Sequence, residues 1–222
     1  MPFPLTHLLV ADELLTRNPR PDEDSALFIL GSLAPDAVHY RKTLPNSNDM
    51  SGIGPMKKIT HLCPISDEPW GKVTDNEGWI KSVKIFAKNN PGPLAEGYAV
   101  HALTDIYNNM TMWASFRTNH PQEAAKGYKS DYYRDLRNID ARLSIELKPQ
   151  ITKIFRILAE AKAHGMPGLV SADEIHSIQE NILTEHIAKL PTPNHDYTFV
   201  TYDETLDFIQ KAADFVTKEL TQ

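Results

Sequence analysis

A chain of 222 residues with 41% hydrophobic and 23% charged side chains carries enough apolar material to fold and is too hydrophobic to remain a disordered polymer. A formal charge of −6 without any Lys/Arg block argues against stable binding to duplex nucleic acid. One cysteine, Cys63, rules out an internal disulfide scaffold and suits a reducing compartment.

The N-terminal run MPFPLTHLLVADELL has no basic segment or small-residue cleavage site, so it does not read as a signal peptide. Thr6 is an expected N-cap for a helix over 7–16, which places His7 in the first turn. NPRPDED is a loop, and Asp24 or Ser25 starts a short apolar helix that ends near Pro35, leaving Asp36 just past it. No stretch reaches the roughly 18 apolar residues of a membrane span. The expectation is a cytoplasmic protein with no transmembrane segment.

Residues 41–58, rich in Gly, Pro, Ser and Asn, read as a long irregular loop of the kind that serves as a lid or substrate loop. His61 is expected to begin the next element. An amphipathic helix over 77–90 is followed by the NNPGP break and then by a helix from Pro93 or Leu94. Its small residues Ala95, Gly97, Ala99 and Ala102 mark it as the most buried element. Helical periodicity continues over 121–148, 149–164, 171–190 and 203–220, with only YTFV at 197–200 resembling a strand. The prediction is an all-α, single multi-helical domain spanning 1–222.

His101 and Asp105 lie four apart on the most apolar helix, so both project from one face. A buried carboxylate costs several kcal/mol unless a cation compensates it, and imidazole with carboxylate suits zinc, manganese or iron. The competing reading is a His–Asp hydrogen bond in a polar pocket. His7, Asp36 and His61 are further candidate ligands. His39, three residues after Asp36, is a candidate acid–base group. Lys57, Lys58 and Arg41 are candidate phosphate-neutralising cations from the long loop. His176 and Glu180 make an i,i+4 pair that reads as a surface contact, and His164 precedes it. His120, His186 and His195 also read as surface residues. Asp131 and Asp135 read as a helix face, with an approach to the cleft as the alternative.

Thr6-His7, Gly31-Ser-Leu-Ala-Pro-Asp36, Thr60-His61 and Gly97-x3-His101-x3-Asp105 together resemble, in order and spacing, the zinc-dependent phospholipase C family and its single-strand-specific nuclease relatives. The resemblance covers roughly residues 1–115. It implies an all-α fold with a metal cluster in a cleft, where activated water attacks a phosphodiester. It further implies that Asp36, His61 and His101 hold one metal, His7 a neighbouring one, and Asp105 bridges them. Thr111, Met112 and Trp113 stand where the family continues with a further histidine ligand. One or two ions are therefore expected, zinc first and manganese or iron as alternatives.

The expected activity is metal-dependent hydrolysis of a small phosphoester or nucleotide-like substrate, with His7, Asp36, His61, His101 and Asp105 as ligands and Asp36, Asp105 and His39 as catalytic residues. One alternative is an HD-type nucleotide phosphohydrolase, ranked lower because His195-Asp196 lies in a Pro/Asn loop. The other is a non-catalytic helical binding protein with a vestigial or structural metal; the mixed N/O donors and single cysteine weigh against a closed structural zinc.

Overall fold

The computed structural model describes residues 3–42, 53–64 and 66–221, and these are helical with no strand among them. Helix α1 is Pro4–Arg17 and α2 is Asp22–Gly31; a 3₁₀ segment, Ala34–Tyr40, follows. Then come α3 (Ile53–Thr60), α4 (Asn76–Asn89), α5 (Pro93–Met110), α6 (Met112–Asn119) and α7 (Pro121–Ala124). The chain continues through α8 (Asp131–Glu146), α9 (Lys148–Ala159), α10 (Ala172–Asn181) and α11 (Tyr202–Thr221). No helix of the described residues is long and apolar enough to cross a membrane.

Several boundaries differ from expectation for identifiable reasons. Thr6 is buried inside α1 and does not cap it; Phe3 is the N-cap and Pro4 opens the helix. Proline suits that position because its fixed φ is already helical and no N–H is lost from the ladder. The expected loop over 41–58 is cut short by α3, which takes Lys57 and Lys58 into a helix; residues 43–52 lie outside the described residues. The segment at 197–200 forms no strand, because its backbone N–H groups bond the Asp135 carboxylate instead of a neighbouring chain.

The buried apolar side chains make one contiguous core, with α5 packed against α1, α2, α4, α6 and α11. Leu8, Ile29, Leu103 and Ile106 are fully enclosed, each stabilising the fold by roughly 1.5–3 kcal/mol. At the crossing of α2 and α5 the two backbones come close together. A Cβ on Gly97 would lie 2.0 Å from the Phe28 carbonyl oxygen, and one on Gly31 2.2 Å from that of Leu94. Only glycine permits this backbone approach, and it brings the end of α2 to one turn before His101.

Candidate metal centre

Four separate elements deliver the polar side chains to one place. His7 comes from the first turns of α1, and Asp36 from the 3₁₀ segment. His101 and Asp105 come from the middle of α5. Pro35 stops α2 from continuing, and the tightened 3₁₀ turn after it turns Asp36 inward.

His61 closes α3 rather than beginning an element. The N–H of Cys63 bonds the carbonyl of Lys58 at 2.8 Å, and that of Leu62 bonds Ile59 at 3.1 Å. This is a Schellman closure with Leu62 at φ +59°, a conformation usually given to glycine and costing another residue about 1–2 kcal/mol. The backbone on either side is clamped: Trp79 Nε1 donates to the His61 carbonyl at 2.7 Å, and the Tyr98 hydroxyl donates to that of Thr60.

The imidazole rings are oriented by backbone carbonyls. His101 Nδ1 lies 2.8 Å from the Ser32 carbonyl and His61 Nδ1 lies 3.0 Å from that of Lys57. With each Nδ1–H given to a carbonyl, both Nε2 atoms present lone pairs inward, the arrangement found behind metal-bound histidines.

These two Nε2 atoms are 3.2 Å apart. His61 Nε2 lies 3.4 Å from both Asp36 Oδ1 and Asp105 Oδ2, and His101 Nε2 lies 3.8 Å from Asp105 Oδ2. A tetrahedral ion with bonds of about 2.0–2.1 Å requires its donor atoms to be about 3.3–3.4 Å apart. The four separations cluster around that value. Asp105 Oδ1 points the other way, 3.5 Å from His7 Nε2, and the His7 ring stacks on His101 at 3.8 Å with 7° between planes. His7, His101 and Asp105 form one group able to hold a metal ion, and Asp36, His61 and His101 another. His101 belongs to both groups, and His61 Nε2, at 3.4 Å from Asp36 and Asp105 alike, links them.

Both oxygens of Asp105 and both ring nitrogens of His7 are buried without a hydrogen bond among the described residues, while Asp36 Oδ1 is paired with Lys57. Unsatisfied buried groups are rare and costly, so four donor atoms in that condition at one spot fit an ion and do not fit a closed hydrogen-bond network.

Burial pushes the His101 imidazole down, helped by neighbouring His7, to about 3, and burial lowers His61 too, with Lys57 adding to the effect. Both rings are therefore neutral at ordinary pH, the form that binds metals. Burial alone would raise the Asp36 carboxyl, but Lys57, His39 and His61 together hold it well below the usual range. Lys57 Nζ is buried 2.8 Å from Asp36 Oδ1 and 5.6 Å above the Trp70 ring. Its burial disfavours the ammonium, yet Asp36, Tyr128 and Asp105 outweigh that and keep it charged.

Asp36, His39 and Lys57 line a cavity of about 290 Å³, together with Phe3, Tyr128 and His186. His39 Nε2 is 3.5 Å from Asp36 Oδ1 on the same face of the 3₁₀ turn. Of the three expected phosphate-neutralising cations, Lys57 alone reaches this cavity. Arg41 pairs with Glu174 at 2.7 Å, and Lys58 bonds the Ser66 carbonyl at 2.8 Å. Asp131 pairs with Arg134, and Asp135 is consumed by the 198–200 backbone. His176 and Glu180 face each other on the exposed side of α10, while His164, His120 and His195 are exposed. His186 is the exception among the expected surface histidines: it is largely enclosed and pairs with Asp140 at 2.8 Å. Its position in the series Ile175, Ile178, Ile182, His186 continues the apolar stripe of α10, a periodic signal that its charged neighbours obscure.

Compared with known proteins, the chain matches no family model, no curated protein and no solved structure.

Proposed function

We propose that this chain is a metal-dependent phosphoesterase, zinc its first ion, acting on a small phosphomonoester or phosphodiester. The observation that carries this reading is the set of donor atoms linked through His61 and His101 by four separations of 3.2–3.8 Å, with both oxygens of Asp105 unsatisfied. Asp36, His61, His101 and Asp105 hold the ion. His7 and the second oxygen of Asp105 favour a neighbouring one. The resemblance to zinc-dependent phospholipase C in the order of His7, Asp36, His61, His101 and Asp105 points the same way.

A bound ion of this kind acidifies water and offsets phosphate charge. The chain's own groups do the rest. The carbonyls of Ser32 and Lys57 keep the two imidazoles in their inward-facing tautomer. Lys57 presents a fixed positive charge at the cavity wall, where an anionic ester can lean on it. His39 stands beside Asp36 at the cavity rim, within reach of a proton. A cavity of about 290 Å³ sits at the small end of ligand pockets, which favours a compact phosphoester head.

The test is elemental mass spectrometry of protein purified without chelator or nickel resin, followed by a screen of aryl phosphomonoesters and phosphodiesters with the metal found. One to two equivalents of metal, and hydrolysis abolished by chelator and restored by the same metal, support the reading. A folded protein that takes up no zinc, manganese or iron overturns it.

A further inference from the structure

His186 lines the same cavity as Asp36, His39 and Lys57. This residue ends a single π-helical turn, Ile182–His186, inserted between α10 and a 3₁₀ turn. Such turns insert an extra residue, re-aim the side chains beyond them, and recur at functional sites. Here the result is an imidazole whose Nε2 sits 2.8 Å from Oδ2 of Asp140 on α8. Asp140 is only 1% exposed. A carboxylate accepts, so Nε2–H donates, and Nδ1 makes no hydrogen bond among the described residues. Burial raises the Asp140 carboxyl, with His186 foremost among the groups opposing it. The pair has the form of a proton-transfer imidazole held in one tautomer by a carboxylate.

Resting on the phosphoesterase reading above, we propose that His186, oriented by Asp140, is the acid that protonates the departing oxygen when the ester P–O bond breaks. The oxygen of water forms the new bond to phosphorus. The electron pair of the broken P–O bond stays on the departing oxygen, which takes the Nδ1 proton of the His186 imidazolium and leaves the neutral Nε2–H ring bonded to Asp140. The proton released by the attacking water passes to solvent and restores His186, so no further reactant is consumed. His186 is the catalytic residue and Asp140 its positioning residue.

Leaving-group dependence tests this, because an acid matters most when the departing oxygen is basic. Methyl phenyl phosphate and methyl p-nitrophenyl phosphate, or the corresponding monoesters where those are the better substrates, are compared in wild type, His186→Ala and Asp140→Asn, with the metal content of each protein measured. His186→Ala keeps its metal and loses about 100-fold on the phenyl ester, within the range of general acid catalysis, while its loss on the p-nitrophenyl ester is at least about tenfold smaller. Asp140→Asn shows the same pattern in weaker form, and ring ¹⁵N spectra at mildly alkaline pH show His186 moving away from the Nε2–H tautomer. Equal losses on both esters would reduce the pair to a packing role and overturn the proposal, as would the selective loss appearing in His39→Ala instead. If wild type binds metal and hydrolyses neither ester, the phosphoesterase reading itself fails and this proposal with it; an active wild type with unselective variants sinks the proposal alone.

Discussion

Asp105 and Asp135 are buried to the same degree, at 1% and 0% exposure, yet their surroundings differ completely. Asp135 Oδ2 accepts the backbone N–H groups of Thr198 and Phe199 at 2.8 and 2.7 Å, and Oδ1 faces Arg134. A third enclosed acid, Asp12, is similarly satisfied, by Lys153 at 2.9 Å and Gln150 at 2.8 Å. Asp105 has no hydrogen bond to either oxygen and is ringed by three imidazoles. Two of these acids are tied down by the protein's own donors. The third stands among lone-pair donors that need a cation, and burial alone does not distinguish the two conditions.

The largest test of that contrast is to change each acid. Asp105→Asn should strip the metal and lower phosphoester hydrolysis by more than about 100-fold, beyond what changes outside the ligand sphere usually reach, with the fold retained by circular dichroism. Asp135→Ala should do the reverse: it keeps its metal but loses about 2–4 kcal/mol by orphaning buried N–H groups, read as a melting temperature lower by roughly 5–15 °C. Equal metal loss in both variants would erase the distinction.

Gly97→Ala sharpens it from a distance. Its Cβ would collide with the Phe28 carbonyl at 2.0 Å, forcing α2 away from α5 and moving the Ser32 carbonyl off His101. Metal affinity is expected to fall about 10–100-fold, as for a lost supporting contact, together with stability. Unchanged affinity by competition with a chelating dye would show that His101 does not need that support.

A pH scan of metal-stripped protein follows in size. His101 titrates near 3 in the fold against an ordinary value of 6.5, and His61 is shifted the same way. Between those values the unfolded chain binds protons that the folded chain does not. Stability is therefore complete above about 6.5 and drains away as pH falls toward 3. Melting temperatures that stay level from neutral pH to about pH 4 would contradict neutral rings in the fold. The smallest effect belongs to His176→Ala: its exposed pair with Glu180 should be worth less than about 0.5 kcal/mol and leave metal content unchanged, by calorimetry and elemental analysis.

The sequence made parts of this legible because they depend on local rules. Helical periodicity located α4 and α11 to within a residue and the start of α5 likewise, and the His101-x3-Asp105 spacing on an apolar helix identified the centre of the cluster. The small residues of α5 announced a close crossing, and Gly97 against Gly31 is that crossing. Other features departed from the reading, some for local reasons and some through distant partners. Thr6 looked like a cap, but Pro4 starts the helix earlier. His61 looked like a beginning, but the Schellman closure at Leu62 makes it an end. His186 and Asp140 are 46 residues apart, and Asp135 meets the 198–200 backbone more than 60 residues on; no local spacing encodes either pairing.

The central claim is that an ion belongs among Asp36 Oδ1, His61 Nε2, His101 Nε2 and Asp105 Oδ2. Anomalous diffraction from crystals grown with zinc and without chelator tests it directly. The account predicts a peak enclosed by those four atoms, with any second peak beside His7 and Asp105 Oδ1. A cluster bridged only by hydrogen-bonded water, with zinc confined to exposed pairs such as His176 and Glu180, would contradict it.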